Sequence, residues 1–486
     1  MKNVLHFIKR TYIIVLFLAI TVFTSCAVNP VTGKKQLSFL SYADEDRLGK
    51  QADGQVTNQY GLYNDDQKVN DYVKALGQRM AHISHRPFLE FHFRVVDSPI
   101  VNAFALPGGY IYVTRGLLAY MNSEAELAGV EGHEIGHVTA RHAASQYTKS
   151  RVTQFGFGIG SIFLAPSSVL FSNATQLGVG LMFLGFSRHD ESQADSLGVE
   201  YSSRIGYDAT RMARFFNTLH RMREQSGQDL PTFLATHPNP VNREKATLRM
   251  AKRWQKELPP FHFMVKRDQY LDMIDGLVFG KERRKGFTEN GYFYNPLLDF
   301  QFPVPEGWDL KSAARQVRME NKKGTAVILF SVSDQTSADK AAFEFLNDQN
   351  LKLKRASTIT INGFTTEVRE TEITQRQETI KILSYFIEKD GKVYIFQSFS
   401  KTRYFRDYVS TFKRTMDNFD RLKNQAAKNI KPTRVKIIAV DKESTLNDLL
   451  TEYPSNELSL DGLAILNGMN LTDVVPVGSR IKTLTR

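Results

Sequence analysis

The stretch His133-Glu134-Ile135-Gly136-His137 decides what fold and chemistry this chain is expected to have. On an α-helix, residues four apart lie about one turn along and on the same face, so both imidazoles can bind one Zn²⁺. The carboxylate of Glu134 then lies to one side, where it can take a proton from an attacking water. The alternative is an amphipathic helix with two incidental histidines, and two further clusters argue against it.

The residues around this motif favour a helix framed by short strands. Ser123 with Glu126 three residues later is typical of a capping box at a helix start. Periodicity predicts helices over residues 66–86 and 123–147 and strands over residues 91–96 and 110–114.

A catalytic zinc needs a third protein ligand and an open position for water. Glu191, in the acidic stretch 187–195, is the candidate, and spacing alone does not exclude His189 or Asp190. Asp195 lies four residues after Glu191, on the same helical face, and can accept the spare ring N–H of a zinc histidine. The plainer interpretation of these carboxylates is a solvated acidic helix start.

A third cluster follows at residues 236–243. Pro238 and Pro240 exclude a regular helix and fix a loop. On that loop His237 can donate to the oxyanion formed when water attacks a peptide carbonyl. It can instead bind the zinc as a fourth ligand and close the resting site, or be an ordinary surface histidine.

These three motifs, in this order, resemble those of the HtpX/CAAX-prenyl-protease family of gluzincin metallopeptidases. Residues 102–109 and 29–35 fit the same pattern, and the resemblance covers roughly residues 27–280. The soluble, periplasmic lipoprotein branch of the family is the most similar. Glu131 departs from the pattern, since an aliphatic residue is more usual there. It lies about 200° from His133 around the helix, facing away from the zinc.

The resemblance implies a role for each motif residue. His133, His137 and Glu191 would bind one zinc ion per chain, and Glu134 would be the general base. His237 and Arg243 would be transition-state or gating residues.

The resemblance also implies a substrate site. Asn102, Ala103 and Phe104 would belong to a small sheet whose edge receives the substrate as an added strand. Such binding reads mainly the peptide backbone, which suits unfolded segments of varied sequence.

The N-terminal residues indicate an address in the cell envelope. Basic residues within 1–10 precede a mostly apolar run at 11–25, as in a secretory signal. Cys26, the only cysteine, follows that run as in a bacterial lipobox, where it would be lipidated. Ala27 then favours the outer membrane, with the enzyme facing the periplasm. The alternative is ordinary signal cleavage nearby, with a free thiol.

Composition indicates an ordinary folded protein of several domains. Hydrophobic residues make up 42% and charged residues 23% of the 486 residues, too many residues for one core. The net charge of +12 is spread along the chain, so we expect anionic lipid or cell-wall polymer as counter-charge and no nucleic-acid partner. The predicted units are a signal peptide at 1–25, a peptidase domain at 26–280, an accessory domain at 285–424 and a terminal module at 432–486.

Residues 152–186 are apolar and rich in glycine. They contain two apolar runs, at 155–160 and 177–186, and neither run is long enough to span a bilayer. A buried helical hairpin packed on the zinc helix is favoured. A mobile lid, or a contact to membrane or client protein, is the alternative.

The predicted fold class is α+β and multidomain, with a mainly helical zincin domain that includes a small sheet. In the accessory domain, patterning predicts strands at 326–332, 358–361, 365–371, 381–388 and 392–398 and helices at 337–347 and 403–414. The last 55 residues predict the order β-α-α-β, with elements at 434–440, 445–452, 461–467 and 480–484. This order resembles a LysM-type module, which binds N-acetylated glycans. Residues 441–446 replace its usual glycine-containing opening, so a structural cap without ligand is the alternative.

Two functions follow. The first is a zinc endopeptidase that removes misfolded or misassembled envelope proteins. The second is a chaperone or scaffold for outer-membrane protein assembly with gated or little proteolysis. An intact ligand set with its base favours the first, because a binding module has no need of Glu134.

Overall fold

The computed structural model describes residues 26–156, 185–226, 232–237, 243–259, 262–333, 335–347, 351–375 and 378–486. The predicted signal at 1–25, most of the apolar segment 152–186 and the prolines after His237 lie outside these residues. None of the helices in the described ranges combines the length and apolar character that a bilayer crossing requires.

The region up to residue 280 is mainly helical, with two small sheets. Its helices are α1 Tyr42–Tyr60, α2 Gln67–His82, α3 Arg115–Tyr120, α4 Glu124–Thr139, α5 His142–Gly156, α6 Arg188–Arg204, α7 Thr210–Ser226, α8 Thr232–Thr236, α9 Arg243–Glu257 and α10 Arg267–Ile274. Its strands are β1 Cys26–Val28, β2 Lys35–Leu37, β3 His92–Val96, β4 Ala103–Leu106 and β5 Tyr110–Thr114.

The predictions for this region are confirmed except at one place. The structure has α2, β3 and β5 where the sequence predicts a helix and two strands. The single helix predicted over 123–147 is wrong, because α4 ends at Thr139 and α5 begins at His142. Between them Arg141 has φ 60°, a left-handed conformation that breaks the helix. Its guanidinium donates to Glu45 and to the Leu40 carbonyl, both at 2.6 Å, which holds the turn.

The small sheet has the strand order β3-β5-β4, so β4 is an edge strand among the described residues. β3 runs parallel and β4 antiparallel to β5. Phe104 on β4 lies opposite Tyr112 on β5, and their rings stack at 4.8 Å. Both pack against α1. This packing holds β4 beside α4.

α4 is buried along its whole length. It begins after Ser123, whose side chain accepts the Glu126 N–H. Only this half of the predicted capping box forms, because the Glu126 carboxylate accepts the Asn122 N–H. It packs against α6 through glycines, and a Cβ added at Gly198 would lie 2.9 Å from both the Gly129 oxygen and the His133 nitrogen. Only glycine permits this approach, and the approach brings the carboxylates of α6 next to His133.

The accessory domain is built on a seven-stranded antiparallel sheet with a helix on each face. Three short strands, β6 Phe287–Glu289, β7 Tyr292–Asn295 and β8 Phe300–Pro303, form a separate sheet. The large sheet has the order β12-β13-β14-β15-β11-β10-β9, made of β9 Trp308–Ser312, β10 Gln316–Asn321, β11 Ala326–Ser333, β12 Lys352–Ile361, β13 Phe364–Gln375, β14 Glu378–Lys389 and β15 Lys392–Lys401. The helices are α11 Ala338–Leu346, α12 Thr402–Asp417 and the short α13 Gln425–Lys428.

Alternate residues along the strands point to opposite faces of that sheet, and each face is covered by a helix. Tyr385 and Phe396 face the core that includes Phe412 of α12. Phe386 faces Ala342 of α11 on the other side. The predicted strands and helices of this domain are confirmed, with several strands longer than predicted.

The C-terminal unit has the four predicted elements in the order β-α-α-β, with two further strands of two residues each inserted among them. It packs directly on the region up to residue 280. Its elements are β16 Arg434–Ala439, β17 Ser444–Thr445, α14 Leu446–Thr451, α15 Leu460–Leu466, β18 Val474–Val475 and β19 Arg480–Thr485. Val435, Leu463 and Leu484 belong to the same apolar core as the α4 and α7 residues. The Lys482 ammonium is fully buried and donates to the carbonyls of Ala119 and Met121, both at 2.8 Å.

Candidate metal centre

Four side chains from three segments converge beside α4. His133, His137, Glu191 and His237 each offer one ligand atom, and these atoms lie within 4.8 Å of one another. None of the four residues is more than 1% exposed. The structure thus brings together the three ligands that the sequence predicts, and adds His237 to them.

The donor set fits one zinc ion. The Nε2 atoms of His133 and His137 lie 3.0 Å apart, and His237 Nδ1 lies 2.9 Å from Glu191 Oε1. Tetrahedral ligands at about 2.1 Å from zinc would lie roughly 3.4 Å apart. His237 Nε2 is buried without a hydrogen-bond partner. Imidazole nitrogens with a carboxylate oxygen are donors that zinc prefers.

Helix α6 explains why Glu191 is the ligand rather than its neighbours. His189 has a side chain that is 86% exposed and points to solvent. Asp190 closes a capping box with Ser187 at the start of α6. Glu191, one position further round the helix, turns inward onto α4.

Asp195 orients the first histidine. Its Oδ1 lies 2.9 Å from His133 Nδ1, so Nε2 is left for the metal. Arg243, at the start of α9, holds Asp195 and also lies 3.1 Å from Glu191 Oε2. Burial raises the pKa of Asp195, but Arg243 and His133 outweigh it and lower that pKa below its ordinary value. Arg243 therefore contacts two carboxylates, that of the predicted metal ligand Glu191 and that of Asp195, which orients His133.

His142 orients the second histidine, and sequence reasoning missed it. Its Nδ1 lies 3.0 Å from His137 Nδ1, and its Nε2 lies 3.0 Å from Gln193 Oε1. Burial lowers the pKa of both His137 and His142, which favours the neutral imidazole that a metal ligand requires. The only sequence signal for this orienting role is the presence of a histidine five residues after His137.

Glu134 lies at the metal cluster with both carboxylate oxygens buried and without a hydrogen-bond partner. His237 lies beside it, with Nε2 3.6 Å from Glu134 Oε1. Burial raises the pKa of Glu134 above its ordinary value, which makes the carboxylate a stronger base. Glu131, about one turn away, is not part of the cluster, and burial together with Glu124 raises its pKa.

His237 is held at the end of α8. Its N–H donates to the Phe233 carbonyl at 2.8 Å, and the Phe233 ring stacks on the imidazole at 4.6 Å. Burial lowers the pKa of His237, but Glu191 and Glu134 raise it by more. Of the roles considered for His237, this position fits a fourth metal ligand and also places Nε2 beside the base.

The residues named for substrate binding lie next to the cluster on the edge strand. Ala103 and Phe104 belong to β4, and Asn102 precedes it. All three are buried, and the Thr236 hydroxyl donates to Asn102 Oδ1 at 3.3 Å, which ties β4 to the His237 loop. Phe186, which sequence reasoning did not single out, stacks on His137 at 4.0 Å and covers the cluster from the α6 side.

In this site one helix carries two buried histidines with an unpaired carboxylate between them, and a glutamate from another helix completes the His₂Glu ligand set. This arrangement defines the metallopeptidase class. Residues 67–251 match the peptidase family M48. M48 peptidases depend on zinc, and the cluster described above supplies the ligands for one ion.

Relatives share this half of the chain. The β-barrel assembly-enhancing protease of Escherichia coli strain K12 is 30% identical over 250 residues, which cover 50% of each chain. The mitochondrial metalloendopeptidase OMA1 of Arabidopsis thaliana is 35% identical over 185 residues, covering 37% of this chain and 36% of the relative. OMA1 of Schizosaccharomyces pombe is 28% identical over 240 residues, covering 48% and 68%. The chain spans about half the length of the first of these relatives.

Proposed function

We propose that this chain is a zinc endopeptidase of the bacterial cell envelope that hydrolyses misfolded or misassembled envelope proteins. The observation that carries the proposal is Glu134, a buried carboxylate without a partner beside four converging metal donors. A structural metal site has all its donors in use and needs no free base.

His133, His137 and Glu191 would hold the ion, with His237 as a displaceable fourth ligand. When bound, zinc supplies a Lewis acid that polarises the scissile carbonyl and favours deprotonation of water. Glu134 takes the proton from the attacking water on a carboxylate oxygen and delivers it to the leaving amine. His237 Nε2 would donate to the developing oxyanion.

The substrate would bind as an extended strand along the free edge of β4. β4 pairs with β5 on one side and with no described strand on the other. Backbone hydrogen bonds along Ala103 and Phe104 would align a peptide antiparallel or parallel to β4 and bring one carbonyl to the metal. Recognition through the backbone suits unfolded segments of varied sequence.

The proposed address is the periplasmic face of the outer membrane, through an acylated Cys26. The order of basic, apolar and cysteine residues in 1–26 supports this part of the proposal. The name of the Escherichia coli relative refers to β-barrel assembly, which agrees with an envelope role. We further propose a LysM-like terminal module that contacts peptidoglycan.

A gated enzyme that acts mainly as a chaperone or scaffold is the second candidate. The observation in its favour is the closure of the centre, since His237 occupies the fourth donor position and Phe186 stacks over His137. A site closed in this way cleaves only when the His237 loop moves.

Glu134→Gln tests the proposed function, with Glu131→Gln as its matched control. Both residues are fully buried carboxylates on α4, and neither has a hydrogen-bond partner among the described residues. We expect Glu134→Gln to keep its zinc and lose casein cleavage by at least about a hundredfold, while Glu131→Gln cleaves normally. Undiminished cleavage by zinc-loaded Glu134→Gln protein would refute the mechanism. Loss of cleavage with full rescue of a deletion strain would favour the chaperone role.

A further inference from the structure

A second cavity lies between the peptidase region and the C-terminal unit. It has a volume of about 480 Å³, and the start of α4, one face of α7 and the loops before α10 and β19 line it. No residue of the metal centre lines it. Glu126 of the cavity lining and His133 are seven residues apart on α4, so about 10 Å of helix separates the two sites.

Arginines outnumber carboxylates in the cavity lining. Two glutamates, Glu126 and Glu244, face four arginines, which are Arg211, Arg214, Arg267 and Arg480. Aspartates outside the lining pair with two of the four. Arginine presents a planar fork of donors that matches carboxylate and phosphate groups.

Two of these guanidinium groups have no carboxylate partner among the described residues. Arg211 pairs with Asp208 at 3.0 Å, and Arg480 pairs with Asp272. Arg267 instead donates to the carbonyls of Asn122 and Arg480, at 3.0 and 3.1 Å, and so joins the two units, while Glu126 and Asp268 lie close enough to act on its charge.

Arg214 makes no hydrogen bond or ion pair through its side chain with any described residue. Its side chain is exposed and lines the cavity. A free guanidinium beside a half-buried one is an arrangement that an anion would stabilise. Burial, together with Arg211 and Arg480, lowers the pKa of Arg267 and outweighs Glu126 and Asp268, which raise it.

The N-terminus of α4 is not the anion-binding element here. The Asn122 N–H donates to Glu126 Oε2, and the N–H groups of Glu124 and Ala125 donate to carbonyls of the loop before α10. The Glu126 N–H donates to Ser123 Oγ. The first turn is thus satisfied within the protein, and the arginines are the groups available to a ligand.

We propose that this cavity binds a small molecule bearing a carboxylate or phosphate group, held by Arg214 and Arg267 between the two units. A volume of about 480 Å³ is in the range of small-molecule sites. Asn217, Thr218 and Ser479 also line the cavity and offer hydrogen bonds to a polar ligand body. The site is independent of the proposed peptidase chemistry.

Calorimetric titration of the purified protein with inorganic phosphate, and separately with citrate, tests the proposal. Arg214→Gln is the test variant, and Arg221→Gln is its matched control, because Arg221 lies on the same helix and does not line the cavity. Thermal unfolding of both variants verifies that they fold.

We expect wild type and Arg221→Gln to bind at least one probe equally and Arg214→Gln to bind it about tenfold more weakly. Binding of phosphate alone would indicate a phosphate ligand, and binding of citrate alone a carboxylate ligand. If neither probe binds, or if both variants bind equally, the proposal is overturned.

Discussion

Arg243 donates two hydrogen bonds to Asp195, from Nε to Oδ2 and from a terminal nitrogen to Oδ1, both at 2.7 Å. The same carboxylate lies 2.9 Å from His133 Nδ1. The arginine of α9 therefore acts on the metal ligand of α4 through an aspartate of α6. The fixed fork of the guanidinium sets the plane of the carboxylate, and the carboxylate sets the orientation of the imidazole.

Asp195→Asn should weaken zinc binding. The amide removes the negative charge that makes His133 a better donor and breaks one hydrogen bond from Arg243, so the zinc affinity should fall about 10- to 100-fold. Competition with a chromophoric chelator measures this affinity. Glu200→Gln, which changes a carboxylate on the same helix away from the cluster, should bind zinc as wild type does. Equal affinities for the two variants would contradict the prediction.

His142→Ala should also weaken zinc binding, by freeing the ring of His137 to rotate. The loss should reach about tenfold, because the neighbouring Phe186 still packs on that ring. The rate of zinc release to excess chelator reports the effect. His220→Ala on α7, where the histidine side chain is 52% exposed, is the control. A release rate that matches the control would mean that His142 has no orienting role.

Gly198→Ala should destabilise the protein because α4 and α6 would have to move apart. The added Cβ would lie 2.9 Å from the Gly129 oxygen, so the free energy of unfolding should fall by about 1–3 kcal/mol. Urea denaturation of the zinc-loaded protein measures the change.

Gly54→Ala is the matched control for that substitution. A Cβ at Gly54 meets nothing within 4 Å, so alanine should leave the stability unchanged or raise it by up to about 1 kcal/mol. A Gly198→Ala protein as stable as Gly54→Ala would show that the helix contact tolerates a methyl group.

Asp65 should give the protein a pH-dependent connection between its units. It lies 3.0 Å from Arg284 and 2.7 Å from Arg434 of the C-terminal unit. Burial raises its pKa, but hydrogen bonds from both arginines outweigh burial and lower the pKa below the ordinary 3.8. With a lowered folded pKa, the stabilisation is complete above about pH 4 and is lost as the pH falls further.

Asp65→Asn should therefore lower the melting temperature at pH 7, and the difference from wild type should shrink below pH 4. Thermal unfolding between pH 3 and pH 7 measures it. Asp71→Asn, at an exposed position of α2 without an ion pair among the described residues, should show no such convergence. A constant difference at all pH values would exclude the ion pair as its source.

The metal-binding helix could be predicted because its information is local. A capping serine, two histidines at one-turn spacing and a glutamate between them specify both the helix and the ligand geometry. The choice among His189, Asp190 and Glu191 could not be made from spacing. It depends on the rotation of α6, which the Ser187–Asp190 capping box and the glycine contact with α4 fix together.

His142 could not be found by helical periodicity. Five residues after His137 is not the same face of a continuous helix, and the two rings meet only because the chain turns at Arg141. That turn depends on Glu45 from α1, about a hundred residues earlier, so it is a tertiary effect. The packing of the C-terminal unit on the region up to residue 280 could not be predicted from local patterns either. Lysine is usually exposed at protein surfaces, whereas Lys482 is buried in this contact.

The Lys482 contacts determine where this polypeptide can be cut for study. An expression fragment ending near residue 280 would lack β19, which carries Lys482. The two carbonyls that accept hydrogen bonds from Lys482 would then have no partner. The apolar side chains that Val435, Leu463 and Leu484 now cover would be exposed. Such a truncated catalytic fragment should aggregate on purification. Excising the seven-stranded sheet, which has its own separate core, and rejoining the flanking pieces with a flexible tether should instead yield a soluble minimal enzyme.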